Sequence, residues 1–258
     1  MEEILVIKYG GNAISDSSSL ANFAATLAKL RAKEERKIVL IHGGGPQISH
    51  WLDKTNHKSQ FINGQRYTSQ DALEVVEMAL CANVNKAIVR ALLQEQIPAV
   101  GLSGEDGAIL RAKPNPELGA VGNIEQVNVD LIKHLLAGDF LPVIAPVGIS
   151  LDGSTALNIN ADYGAAHIAA ALKANECLFM SNVAGILDAN RQILRRVNSQ
   201  MIRQMISDEV IVGGMIPKVD CALCALEQGV QMVRIMDGVN LDNLLQIGTK
   251  EIGSEIVL

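Results

Sequence analysis

Short apolar runs alternate along this chain with longer stretches in which apolar residues recur at helical spacing. Ile4-Leu5-Val6-Ile7 and Ile38-Val39-Leu40-Ile41 are too short for a typical helix and read as strands. Further strands are predicted at 98–101, 141–147, 177–181, 231–235 and 254–257, with the first two covering 4–8 and 37–41. Helices are predicted over about 17–34, 46–56, 69–95, 126–138, 160–174, 199–207 and 217–229. Pro98, Gly138, Pro142, Gly185 and Gly229 punctuate the joins. The strand–helix rhythm predicts an α/β fold, a parallel sheet with helices on both faces. Two polar, glycine-bearing interruptions, near 58–68 and 104–125, read as hairpin excursions at the carboxyl ends of strands, where open α/β sheets bind ligands. No linker or repeat divides the chain, so a division by function is expected near residue 175, into 1–175 and 176–258.

Composition narrows the class. The chain has 258 residues, 48% hydrophobic but only 3% aromatic, enough for one large aliphatic core or two closely joined lobes. A net charge of -6 gives no general reason to bind nucleic acid or an anionic membrane, although Lys8, Arg66 and Lys218 can make a local basic cleft. No apolar stretch approaches the roughly twenty residues that span a bilayer, and Met1-Glu2-Glu3 lacks a basic signal region, so a cytoplasmic protein is expected. Sparse cysteines, at 81, 177, 221 and 224, suit a reducing compartment. Cys221 and Cys224 form C-x-x-C within the helical pattern of Val219, Ala222, Leu223 and Leu226, which favours helix thiols over a redox or metal pair. No histidine or cysteine cluster offers a protein-held metal site.

Chemistry concentrates in glycine-rich turns beside lysines. Lys8 stands in Ile7-Lys8-Tyr9-Gly10-Gly11-Asn12, and Lys218 ends Gly213-Gly214-Met215-Ile216-Pro217-Lys218. The strand at 37–41 runs into His42-Gly43-Gly44-Gly45-Pro46-Gln47, a turn followed by a helix start, where free N–H groups and the helix dipole favour phosphate. Each glycine pair alone is also an ordinary tight turn. Together they offer distributed positive charge and backbone donors, which is what phosphoryl transfer requires. Arg66, in Asn63-Gly64-Gln65-Arg66, can grip a carboxylate in a bidentate fork or simply be solvated in its turn. Asn158, Asn160 and Asp162 alternate along an otherwise apolar segment and share one side if it is extended. Asp162 either starts the following helix or accepts hydrogen bonds from both lysines and holds them in place. His42 adjoins these turns and reads as structural.

In this order the segments Ile7-Lys8-Tyr9-Gly10-Gly11-Asn12-Ala13, His42-Gly43-Gly44-Gly45-Pro46-Gln47-Ile48, Asn63-Gly64-Gln65-Arg66, Asn158-Ile159-Asn160-Ala161-Asp162 and Gly213-Gly214-Met215-Ile216-Pro217-Lys218 resemble the motifs of the acetylglutamate kinase family, within the wider amino acid kinase superfamily. The resemblance covers nearly the whole chain. It implies a three-layer αβα sandwich with an open, mainly parallel sheet, and phosphorylation of the γ-carboxylate of N-acetyl-L-glutamate by MgATP in arginine biosynthesis. By motif, Lys8 and Lys218 stabilise the phosphoryl group in flight and Asp162 organises them, while Gly10, Gly11, Gly43, Gly44 and Gly45 surround phosphate. Gly44, Gly45, Arg66, Asn158 and Asn160 would hold the acceptor in the N-terminal lobe. Ser181, Asn182, Val183, Gly185, Gly213, Met215 and Lys218 would hold nucleotide in the C-terminal lobe, with Mg²⁺ bound mainly through the ATP phosphates.

The chain also departs from the pattern. Asn182 stands where the family usually has aspartate, so altered nucleotide affinity or preference is expected. Ala82 replaces a common glycine, so helix packing near the acceptor is expected to differ. The first strand starts almost at Met1, leaving no room for the N-terminal helix of arginine-inhibited hexamers, so an arginine-insensitive homodimer is expected. Two other readings stand beside this one: a related kinase acting on a carrier-linked amino acid, and a weakly catalytic regulatory protein that binds nucleotide or amino acid.

Overall fold

The computed structural model describes residues 3–10, 17–62, 64–248 and 252–258, so Gly11, Asn12, Ala13 and Asn63 of the motifs lie outside the described residues. The elements run β1 (Ile4–Tyr9), α1 (Ser17–Lys33), β2 (Lys37–His42), α2 (Gly45–Lys54), β3 (Gln60–Ile62) and β4 (Gln65–Tyr67). A long helical span follows as α3 (Gln70–Glu77), a π-helical stretch (Met78–Val84) and α4 (Asn85–Gln94). Next come β5 (Ala99–Ser103), β6 (Leu110–Pro114), β7 (Gly122–Val127), α5 (Asp130–Ala137), β8 (Leu141–Ala145), β9 (Val147–Ser150) and β10 (Ala156–Asn158). The chain continues through α6 (Ala161–Leu172), β11 (Glu176–Ser181), β12 (Arg196–Asn198), α7 (Ser199–Ser207), α8 (Met215–Glu227), β13 (Met232–Asp237), α9 (Asp242–Leu245) and β14 (Ser254–Val257).

An eight-stranded sheet, ordered β12-β14-β13-β11-β1-β2-β8-β5, forms the middle layer. Its strands pair in parallel except where β14 meets β13 antiparallel. Because strand side chains alternate in direction, β1 splits its residues between two cores. Leu5, Ile7 and Tyr9 pack with α1, α4 and α9 on one side, while Val6 packs with α5, α6 and α8 on the other. Lys8 shares the Val6 face by the same alternation. Few aromatic rings contribute, although Tyr9 stacks on Phe23 with centroids 3.9 Å apart. The result is the expected αβα sandwich.

Both predicted hairpin regions form hairpins. β3 and β4 pair antiparallel, and β6 and β7 do so within a second sheet ordered β10-β9-β6-β7. Three predicted boundaries need correction. The helix expected over 126–138 begins only at Asp130, because Gly122–Val127 is claimed by pairing with β6 and the Asn128 carboxamide oxygen accepts from the Asp130 N–H at 3.1 Å. The strand expected over 141–147 is two strands in different sheets. They divide at Pro146, which has no N–H to continue a ladder. The helix expected over 69–95 is interrupted by its π-helical stretch, on which Ala82 is exposed rather than packed.

Candidate active site

The carboxyl ends of β1, β2 and β11 converge on a cavity of about 600 Å³, a volume typical of small-molecule sites. Lys8, Gly10, Gly43, Gly44, Gly45, Arg66, Asn158, Asn160, Ser181, Asn182 and Lys218 all line it. Their sequence positions extend from the first strand to the last long helix. Gly43–Gly45 joins β2 to α2, whose first turn carries Pro46, so this N-terminus directs unpaired N–H groups toward the cavity. Gly10 belongs to a turn pressed against β11: a Cβ added there would lie 2.7 Å from the Met180 carbonyl oxygen.

Asp162 is the electrostatic pivot. Asn160 caps α6, its side chain accepting from the Asp162 N–H at 2.9 Å, which sets Asp162 in the first turn. The helix carries alanines at 165, 166, 169 and 170 toward the sheet, small enough to bring it close to β1. Asp162 Oδ1 lies 2.9 Å from Lys8 Nζ, and Oδ2 accepts from Lys218 Nζ at 2.7 Å. Burial by itself would push this carboxyl upward; the two ammonium groups and their hydrogen bonds outweigh it and hold the pKa at about 2. Asp162 is therefore a carboxylate committed to two lysines. It fixes both ammonium groups at the cavity and has no proton to exchange near neutral pH.

The β3–β4 hairpin adds Arg66 to the lining. Its guanidinium donates to Ser59 Oγ at 2.9 Å, Ser49 Oγ at 2.9 Å and the Gly45 carbonyl at 3.1 Å, and it lies over the Phe61 ring. Partial burial pulls its pKa down while Asp53 pulls it up. Asn158, at the end of β10, donates to Thr68 Oγ1 at 2.9 Å. Thr68 is fully buried and exchanges backbone hydrogen bonds with the 118–120 segment, tying together the hairpin base, that segment and β10. Among the described residues, the charged side chains lining the cavity are Lys8, Arg66 and Lys218, all cations. Such a lining suits phosphate and carboxylate together.

Four predicted nucleotide residues sit outside this lining. Val183 and Met215 are partly buried against the core, Gly185 packs against Ser254, and Gly213 lies in the turn before α8. Sequence reasoning overlooked Ser49, Ser59, Phe61, Thr68 and Val239. Thr68 stands two residues after Arg66, whereas nothing local marks Ser59 or Val239 as neighbours of the site. Cys221 and Cys224 are free thiols on α8, and burial pushes both pKa values up, the reverse of an activated pair. Among the described residues no group of His, Cys, Asp and Glu is placed to hold a metal ion, and no helix is long and apolar enough to cross a membrane.

Residues 3–237 match the model of the amino acid kinase family. The acetylglutamate kinase of Geobacillus thermodenitrificans is 43% identical over 240 residues, which cover 92% of this chain and 91% of the relative. That of Ruthia magnifica is 42% identical over 244 residues, 91% of this chain and 82% of the relative. Among solved structures, smu.665 from Streptococcus mutans superposes with a TM-score of 0.84 at 30% identity, covering 100% of this chain and 99% of that one. Carbamate kinase from Giardia lamblia bound to AMP-PNP, at 17% identity and a TM-score of 0.73, shares the fold over 99% of this chain and 98% of its own. The chain belongs to the amino acid kinase family, and within it to the acetylglutamate kinases.

Proposed function

We propose that this cavity is where the chain carries out the ATP-dependent phosphorylation of N-acetyl-L-glutamate, the kinase step of arginine biosynthesis. The observation that carries the site assignment is the Lys8–Asp162–Lys218 bridge, with contacts of 2.9 and 2.7 Å, at the edge of a cavity whose charged lining is cationic. In the reaction the γ-carboxylate of the acceptor attacks the γ-phosphorus of ATP, the bond to the bridging oxygen breaks, and ADP leaves with that electron pair. The acceptor is already ionised near neutral pH, so no general base is needed. Catalysis then rests on placement and on charge stabilisation of the moving phosphoryl group.

We assign that stabilisation to Lys8 and Lys218, held by Asp162, and to backbone N–H groups of Gly10 and Gly43–Gly45. Arg66 and Asn158 hold the acceptor, beside Asn160. Ser181, Asn182 and Val239 mark the nucleotide side of the cavity, which supports a division between residues 1–175 and 176–258. Gly213 and Met215 act by setting the start of α8, and Val183 and Gly185 by shaping the turn after β11. Mg²⁺ fits as a companion of the ATP phosphates rather than as a ligand of this lining, because the one carboxylate between the lysines is already committed to them. We also propose a homodimer. Met78 and Leu93, on the α3–α4 span, are 59% and 53% exposed and offer apolar surface for it.

The deciding experiment follows ADP release with MgATP and N-acetylglutamate, beside glutamate, aspartate and UMP, with hydroxylamine present to trap acyl phosphate. Turnover confined to N-acetylglutamate is expected, and Lys8→Ala should abolish it while leaving the chain folded. Near-normal activity in that variant would remove the phosphoryl-site assignment.

A further inference from the structure

We infer that His42 and Asn85 are a buried positioning pair that aims the glycine turn at the transferring phosphoryl group, and that the His42 contact to Gly43 governs turnover rather than substrate affinity. The inference rests on the phosphoryl-site assignment above. Neither side chain lines the cavity, and they are 0% and 1% exposed.

His42 is the last residue of β2, and its Nδ1 lies 2.8 Å from the Gly43 carbonyl oxygen. A carbonyl can only accept, so Nδ1 carries the hydrogen. Burial above all, with a contribution from nearby Lys86, outweighs the Gly43 hydrogen bond and lowers the His42 pKa to about 4, so the ring is neutral. Its Nε2 is therefore an acceptor, and it meets Asn85 Nδ2 at 3.2 Å. The Asn85 amide nitrogen also meets two carbonyls, Val143 in the middle of β8 at 2.9 Å and Leu102 in β5 at 3.2 Å, so its two hydrogens are shared among three acceptors, the nearest being Val143. Those carbonyls require the amide nitrogen on their side. Strands β8 and β5 thus orient Asn85, Asn85 favours the same imidazole tautomer that the Gly43 carbonyl demands, and that tautomer holds the Gly43 carbonyl.

Fixing that carbonyl has a consequence one atom further on. No peptide among the described residues is cis, and in a planar trans peptide the N–H points away from the C=O. With the Gly43 carbonyl held by the buried imidazole, the Gly44 N–H of the same peptide plane is turned away from His42, toward the cavity that Gly43 and Gly44 line. A donor aimed at charge that develops during transfer contributes to kcat more than to ground-state binding. The preceding His42–Gly43 peptide is pinned as well, its N–H donating to the Tyr9 carbonyl at 2.9 Å, so both peptide planes that meet at Gly43 have a hydrogen-bond partner.

Two substitutions of similar disruption separate this role from packing. In His42→Asn the amide nitrogen falls near the place of Nδ1 and can still donate to Gly43, whereas in His42→Gln the carboxamide reaches toward Asn85 and the Gly43 contact is lost. His42→Gln is expected to lower kcat by about tenfold or more with both KM values nearly unchanged, and His42→Asn to retain most of kcat. Equal losses in the two variants, or a loss expressed in KM, would overturn the inference. Nitrogen NMR of the wild-type ring, which needs no variant to fold, should show protonated Nδ1 and bare Nε2; the opposite tautomer would also overturn it. Wild-type protein that carries this tautomer but is silent with N-acetylglutamate would instead count against the proposed function.

Discussion

Asp162 ties the stability of the fold to the charge at the cavity, because its carboxylate is shared by Lys8 and Lys218. Its carboxylate binds a proton more weakly in the folded protein, at about pH 2, than in the unfolded chain near its ordinary 3.8. The stabilisation it contributes is therefore fully present above about pH 4 and is lost as the pH falls through 2. Denaturant unfolding of wild type and Asp162→Asn should differ most above pH 4 and converge toward pH 2; a constant gap would mean that the charge is not the source. At neutral pH the same variant should lose about a hundredfold in kcat, since both lysines lose the anion that orients them. Arg66 makes a related point. Its position in a polar turn suggested either a substrate grip or a solvated charge, and the contacts to Ser49, Ser59 and the Gly45 carbonyl show it held in place at the cavity.

At the scale of elements, the part of the cavity lining that includes Val121 and Asn158, proposed above to hold the acceptor, depends on the junction of β4, the 118–121 segment and β10. Gly119 has φ +73°, a left-handed conformation, and a Cβ there would run into the Thr68 carbonyl oxygen. Thr68 in turn receives the Asn158 amide through its hydroxyl and the Ala120 N–H through its carbonyl. Gly119→Ala should therefore destabilise the protein by about 1–3 kcal/mol and raise KM for the acceptor more than for ATP. Melting curves with separate titrations of the two substrates would check this, and an equal rise in both KM values would count against a local effect. The elements misjudged from sequence lie in this same region. The helix expected over 126–138 loses its first residues because hairpin pairing with β6 takes residues 122–127, and it begins at Asp130, whose N–H donates to the Asn128 side chain.

Across the whole molecule, the central sheet joins residues 1–175 to residues 176–258 directly, since β1 pairs with β11 along their length. A charge network seals the end of the sheet away from the cavity. Arg234 Nε meets Glu176 Oε1 at 2.8 Å, Arg234 Nη2 meets Glu255 Oε1 at 2.8 Å, and Arg36 reaches Glu176 Oε2 at 3.1 Å. Arg234→Met leaves a buried Glu176 with Arg36 alone and should cost about 3 kcal/mol in urea unfolding, without changing the specific activity of folded protein. Adding Glu176→Leu should recover much of that loss, because the uncompensated charge is then gone. Sizing by light scattering over a dilution series tests the homodimer: a particle of one chain's mass at all concentrations would exclude it.

The layered α/β class, the strands at 4–9, 37–42 and 176–181, and the two lysines and Asp162 as partners were legible because apolar periodicity and glycine-rich turns are local in sequence. Those features depend on a residue and its near neighbours. β12, β10 and α9 were not legible, since strands and helices of three or four residues carry too little periodicity to register and exist only because a neighbouring strand or core receives them. The same holds for Val239 at the cavity, for Ser59 behind Arg66, and for the tautomer of His42. Sequence by itself determined which side chains were available for phosphoryl chemistry. Tertiary structure alone decided which carbonyl, amide or carboxylate each would face, because those partners come from strands and helices as distant in sequence as Asp162 is from Lys8, and the direction of a hydrogen bond is settled only when both ends are packed in place.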